Sequence, residues 1–229
     1  MPNFLPQDTI LVPQGAEYQA VCRGLRNLTG SIPTVLPIPV GMKPLLQYLQ
    51  QSAQSRQILA AKSRVLIVGL CGSLSDRYTV GDVVLYQNCL YQGKRQECDR
   101  SFTAELHSAL PTAHFPIKSL TSVRVISSAA EKRHLGETLA VDVVDMEGFT
   151  ALEFLNAAGV AVAMLRVVSD DSQHDIPDLT GAINADGSLA PLPLAMGMLR
   201  QPFAATRLIR GSLIGLKVLK QVTSQLFSD

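Results

Sequence analysis

The sequence has no tryptophan, and aromatic residues make up only 5% of its 229 positions. That argues against a groove in which successive bases of a single-stranded nucleic acid stack on rings. Charge of neither sign prevails. The 20 Lys and Arg against 19 Asp and Glu leave a net charge of +1, so no overall field draws the chain to nucleic acid. Cys22, Cys71, Cys89 and Cys98 include no CxxC spacing, which excludes the common zinc frames and a disulfide scaffold. The histidines at 107, 114, 134 and 174 form no HExxH, and no metal or cofactor is expected. The first residues, Met1 to Asp8, lack the basic and apolar regions of a signal peptide, and no apolar run reaches bilayer length. A cytoplasmic protein is the expectation.

What is abundant is aliphatic. Hydrophobic residues reach 47% while charged ones stop at 17%, as expected of strands covered on both faces. No linker-like stretch divides positions 1–229, so one domain is read. Strand-like runs at 9–12, 34–40, 64–69, 80–86, 117–125, 139–144 and 160–168 alternate with helix-like segments at 16–25, 42–53, 102–110, 129–135 and 148–158. A tight turn is expected at Leu70–Leu74, and irregular chain at 176–195. A long helix is expected at 202–227, with Pro202 in its first turn. The pattern predicts an α/β fold: a three-layer α/β/α sandwich around a central mixed β-sheet.

Two apolar runs end in acidic motifs. Val144-Asp145-Met146-Glu147-Gly148 closes one and Arg166-Val167-Val168-Ser169-Asp170-Asp171 closes the next. An acidic residue after a strand often caps the following helix. A pair at strand ends marks the edge where open α/β sheets bind ligands. One helix and one strand separate the two motifs, which places them at the same edge of neighbouring strands.

Four blocks in order carry a resemblance: Gly69 to Leu74, Val80 to Val84, Val144 to Gly148 and Arg166 to Asp170. Together they resemble the nucleoside phosphorylase and nucleosidase superfamily, which includes purine nucleoside phosphorylases and methylthioadenosine/adenosylhomocysteine nucleosidases. Three further stretches, 178–182, Asp186-Gly187-Ser188 and Leu199 to Pro202, look like its hopanoid-associated branch, whose members release adenine from adenosylhopane. The resemblance implies an enzyme that cleaves the N-glycosidic bond of an adenosine-type nucleoside and releases adenine, with hydrolysis favoured and phosphorolysis as the runner-up. A nucleoside-binding protein without turnover is the alternative from another class. The resemblance also implies a homo-oligomer.

It assigns roles residue by residue. Asp170 matches the general acid that protonates the leaving purine. It must hold a proton near neutrality, which partial burial and neighbouring Asp171 would favour. Glu147 matches the glutamate that clamps the ribose hydroxyls, Met146 packs beneath the sugar, and Ser169 holds Asp170 or touches the base. Cys71, Gly72 and Ser73 form a wall of the site, Phe149 is the candidate to stack on the base, and Arg166 and Asp145 support the others. Glu17 has two readings: it activates water, or it only favours the start of its helix.

Three features depart from the family. The glycine loop after the second strand is reduced to Val40-Gly41-Met42-Lys43-Pro44, and the phosphate motif Gly-Asp-Pro-x-x-Arg is absent. Ser127 to Glu131 stands where a base-stacking aromatic block is expected. The C-terminal helix puts Leu208, Leu216, Leu219, Val222 and Leu226 on one side and Arg207, Arg210, Lys217 and Lys220 mainly on the other. It reads either as packed on the domain or as a basic amphipathic contact with a membrane surface.

Overall fold

Along the strand Arg64–Ser73, Val65 and Ile67 face one hydrophobic core while Leu66 and Val68 face another. Side chains alternate across a strand with period two, so this unbroken apolar run is satisfied only with cover on both faces. In the computed structural model, residues 8–26, 33–51, 64–179, 181–182, 184 and 190–228 are described. Of the sequence blocks above, Met1–Gln7, Thr180 and Asp186-Gly187-Ser188 lie outside these residues.

The elements are β1 (Thr9–Pro13), α1 (Ala16–Leu25), β2 (Thr34–Ile38), α2 (Met42–Gln51), β3 (Arg64–Ser73), β4 (Val83–Tyr91), β5 (Lys94–Glu97), α3 (Arg100–Ala109), β6 (His114–Thr121), α4 (Ala129–Leu139), β7 (Val143–Asp145), α5 (Gly148–Ala157), β8 (Ala161–Asp170), α6 (Pro191–Arg200) and α7 (Pro202–Phe227). Leu45 and Leu49 of α2 and Leu152 and Leu155 of α5 cover one face. Val21 of α1, Phe102 and Leu106 of α3, and Leu219, Val222 and Leu226 of α7 cover the other. The three-layer arrangement predicted from the strand runs is present.

The sheet is mixed and closes on itself. β2, β1, β3 and β8 run parallel in that order. β8 pairs antiparallel with β4, β4 parallel with β6, β6 parallel with β7, and β7 antiparallel with the end of β3. The acidic motifs are therefore not on neighbouring strands. β3 lies between them, and its Gly72 pairs with Val144 on one side and with Asp170 on the other. Between Cys71 and Gly72 the register slips by one residue of β8, which leaves Ser169 as the extra residue of a bulge. Bulges re-aim side chains at strand ends, and this one turns Ser169 and Asp170 into the site.

Other expectations change. The Leu70–Leu74 turn is mostly strand, because Cys71 to Ser73 find ladder partners on β8 and β7. The run 139–144 is strand only from Val143; α4 continues through Leu139 and stops at Ala140, whose φ of 52 is left-handed. The 176–195 stretch is not irregular throughout, since Pro191 opens α6 in the first turn, where proline is tolerated. The strand β5 gave no hydrophobic signal, its sequence being Lys-Arg-Gln-Glu. Among the described residues no helix is long and apolar enough to cross a membrane.

Candidate active site

The ends of β3, β7 and β8 and the start of α1 enclose a cavity of about 230 Å³. Glu17, Cys71, Gly72, Asp145, Met146, Glu147, Ser169 and Asp170 line it, with Val125, Ile126 and Ile176 as an apolar wall. A larger groove of about 710 Å³, lined by Arg77, His114, Lys118 and Asp142 among others, contains none of these residues. Convergent polar groups rather than volume single out the smaller cavity.

Arg166 is the electrostatic centre. It is wholly buried, with Nη2 3.6 Å from Asp145 Oδ2 and 3.7 Å from Glu147 Oε2. Burial works against its charge, but Asp145, Tyr86, Glu147 and Glu17 hold its pKa above the ordinary value. Glu17 also reaches this group: a methyl on Gly69 would collide with both Arg166 Nη1 and Glu17 Oε2. Three carboxylates thus surround one guanidinium, and the negative surplus is expensive away from water.

The two glutamates carry that surplus. Burial pushes the Glu17 carboxyl up to about 7; Arg166 and the Leu70 N–H oppose this, while Glu147 adds to it. The stem of Glu17 is partly exposed, but its carboxylate end is enclosed. Although Glu17 lies in the first turn of α1, its Oε2 accepts from the Leu70 N–H of β3 at 2.7 Å. Its side chain therefore points across the site rather than back at its own helix. Glu147 is pushed up to about 6 by burial and, after the opposing effect of Arg166, by Asp145.

Asp145 and Glu147 divide the work expected of acids after a strand. Asp145 Oδ1 accepts from Thr121 Oγ1 at 2.9 Å and from the Gly148 N–H at 3.1 Å, which ties down the start of α5. Glu147 stands at the N-cap position but does not cap. Its Oε1 accepts from the Gly41 N–H at 2.8 Å. The shortened Val40–Pro44 loop thus orients this carboxylate in the cavity.

Asp170 has both oxygens engaged. Lys132 Nζ of α4, fully buried, donates to Oδ1 and also to the Asp171 carbonyl at 2.9 Å. Ser169 Oγ lies 3.0 Å from Oδ2 and 3.2 Å from the Cys71 carbonyl. The Asp171 carboxylate turns to His174 and the loop N–H groups. Burial favours its neutral form, but the His174 ring 3.1 Å away and the N–H groups of Gln173 and His174 hold its carboxyl below the ordinary value. Beside this expected negative neighbour, Asp170 has an ammonium in direct contact, a group of opposite sign that the sequence did not suggest.

The expected stacking residue and one expected wall residue lie elsewhere. Phe149 is buried in the core against Tyr91, with centroids 5.6 Å apart, so it does not reach a bound base. Ser73 donates to the Ser75 carbonyl at 2.6 Å and does not line the cavity. Cys71 does line it, with its thiol pushed well up by burial. Reading of the sequence missed Lys132, Thr121 and Gly41. Lys132 leaves no signal, being one lysine in a short polar helix. Gly41 stood in a loop that looked only like a reduction.

A second cavity of about 540 Å³ adjoins the first and shares Val40, Arg124, Val125 and Met146 with it. Met42, Leu46, Tyr91 and Leu179 make much of its lining apolar, with Lys43 and Glu153 also present.

No protein-family model matches the chain, and no curated protein matches it in sequence. Solved structures do match. The 5'-methylthioadenosine/S-adenosylhomocysteine nucleosidase of Helicobacter pylori with butyl-thio-DADMe-Immucillin-A bound has a TM-score of 0.62 at 15% identity, over 96% of this chain and 98% of its own. The Streptococcus pneumoniae MTA/SAH nucleosidase with 8-aminoadenine has 0.58 at 17%, over 93% and 98%. Futalosine hydrolase of Helicobacter pylori has 0.61 at 15%, over 93% and 95%. From β1 to α7, the chain has the fold of these nucleosidases.

Proposed function

We propose that the protein hydrolyses the N-glycosidic bond of an adenosine-type nucleoside and releases adenine. The observation that carries this is the convergence of Glu17, Glu147 and Asp170 on one cavity around Arg166. Cleavage builds positive charge on the ribose and negative charge on the purine. Glu147 accepts hydrogen bonds from the ribose hydroxyls and favours the growing positive charge. Asp170 delivers the proton to the purine N7. Glu17, with its carboxyl near 7, takes a proton from water close to neutral pH, where a general base is most effective. One carboxyl serving the leaving group and another activating water is also the logic of glycoside hydrolysis.

Hydrolysis is favoured over phosphorolysis by charge. Glu17, Asp145 and Glu147 crowd around Arg166, while Arg124 at the cavity is paired with Glu131 and Lys132 with Asp170, so a phosphate dianion seated against Arg166 meets net repulsion. The apolar second cavity supports a nucleoside with an apolar 5′ substituent, of which 5′-methylthioadenosine is the simplest probe. Adenine release from methylthioadenosine, adenosylhomocysteine and adenosine, with and without phosphate, tests the reading. Release that needs phosphate would turn it into a phosphorylase. No release from any of them, together with nucleoside binding, would support a binding protein, a reading favoured only by the Lys132 contact that occupies Asp170 Oδ1.

The α6–α7 surface supports peripheral contact with an anionic bilayer. Leu192, Leu199 and Phe203 are each more than three-quarters exposed. Residues 190–228 contain Arg200, Arg207, Arg210, Lys217 and Lys220 and no acidic side chain, the pairing that anionic lipid surfaces attract. Flotation with anionic vesicles tests it: Phe203→Ser with Leu199→Ser should lose binding, and equal partitioning of parent and variant would refute it.

A further inference from the structure

Among the described residues, Lys132 is a buried cation beside the reacting carboxylates that the mechanism above leaves unused. Its ammonium is fully buried and has two acceptors, Asp170 Oδ1 and the Asp171 carbonyl. A buried ammonium is costly unless it is paired, so its place needs a reason. Docking of α4 is not that reason. Ser128 caps the helix, Ala129 N–H donates to Asp175 Oδ1 at 2.7 Å, Arg133 Nη1 donates to the Ser172 carbonyl at 2.8 Å, and Ile176 N–H donates to the Ser127 carbonyl at 3.0 Å. Besides that internal cap, three contacts already fasten α4 and its entry to the chain after β8.

The Ser169 hydroxyl can serve Asp170 with or without a proton on the carboxyl. Ser169 has one hydroxyl hydrogen and two acceptors within reach, Asp170 Oδ2 at 3.0 Å and the Cys71 carbonyl at 3.2 Å. Against a charged Asp170 it donates to Oδ2. Against a protonated one it turns to Cys71 and accepts from the carboxylic acid. No heavy atom moves in that exchange.

Resting on the nucleosidase reading, we propose that Lys132 is the positioning residue of the acid and the store of its proton. Transfer of one proton from Lys132 Nζ to the carboxylate leaves a neutral amine and a carboxylic acid. Asp170 then passes that proton to N7 as the C1′–N9 bond breaks and its electron pair moves onto the purine. Water adds to C1′ and gives its proton to Glu17. The pair regains its proton from solvent and Glu17 returns its own, so adenine, the free sugar and one consumed water balance. The other titratable or charged groups around the pair are Asp171 with His174, Asp175 with Arg207 near its carbonyl, Arg133, and Cys71.

The test is Lys132→Met, assayed for adenine release from methylthioadenosine between pH 5.5 and 8.5. In this variant no ammonium stores the proton and the carboxyl must take it directly from solvent, whose proton concentration falls tenfold per pH unit. The expected result is a kcat about 100-fold or more below the parent at pH 7.5. KM should stay within about threefold, and the loss should widen by about tenfold per pH unit. A variant as active as the parent, or a loss that is the same at every pH, overturns the proposal; the second result marks a purely structural lysine. If methionine prevents folding, Lys132→Gln gives the same comparison. A parent that releases no adenine from any nucleoside overturns the nucleosidase reading itself, a different failure from an active parent with an indifferent variant.

Discussion

Replacing Glu17 by glutamine separates its cost to the fold from its use in the reaction. The carboxyl is raised from 4.5 to about 7, mainly by burial. At about 1.4 kcal/mol per pKa unit, holding Glu17 ionised in the folded protein costs about 3 kcal/mol. The folded state binds this proton more tightly than the unfolded state. The Glu17 contribution is therefore most favourable below pH 4.5 and is lost as pH rises towards 7. Glu17→Gln keeps the shape, still accepts from the Leu70 N–H through its amide oxygen, and carries no charge. At pH 8 it should resist urea better than the parent by up to about 3 kcal/mol, and at pH 4 the two should match. Activity should move the other way, because loss of a general base costs about 100- to 10,000-fold in kcat. The parent kcat/KM should fall on the acid side with a midpoint near 7. The assays are urea denaturation at both pH values and chromatographic measurement of adenine. A variant whose gain over the parent is no larger at pH 8 than at pH 4, or one retaining a tenth of parental kcat, would contradict these expectations.

Other perturbations follow from the same contacts. Arg166→Met leaves Asp145, Glu147 and Glu17 without their cation and should cost about 3–5 kcal/mol; urea denaturation within about 1 kcal/mol of the parent would contradict it. Glu147→Gln should lose more kcat/KM on methylthioadenosine than on its 2′-deoxy analogue, because the carboxylate then has one hydroxyl fewer to bind; equal losses would remove the ribose-clamp role. Gly211→Ala places a methyl against the Ser169 carbonyl, so α7 or the β8 bulge must shift, at about 1–3 kcal/mol and with reduced adenine release. A fully active and equally stable Gly211→Ala would show that α7 does not brace the acid.

The strands of the site were legible because they are apolar on both faces. The runs ending at Gly69, Val144 and Val168 needed no tertiary knowledge, and Glu147 and Asp170 followed from their ends. Closure of the sheet was not legible, because it depends on β7 and β8 both pairing with β3 and no local pattern encodes that. The same gap misplaced Ser73 and Phe149. The direction a side chain takes at a strand end depends on register, and one residue of slip reverses it. Lys132 was invisible for a related reason: it is buried only once α4 settles against the loop after β8 and the end of β3.

The most direct measurement is adenine released from 5′-methylthioadenosine in phosphate-free buffer, compared between the parent and Asp170→Asn. The account predicts release by the parent and a loss of at least about 100-fold in the variant, with the fold unchanged by circular dichroism. Undiminished release by a folded Asp170→Asn, or release by the parent only when phosphate is added, would contradict it.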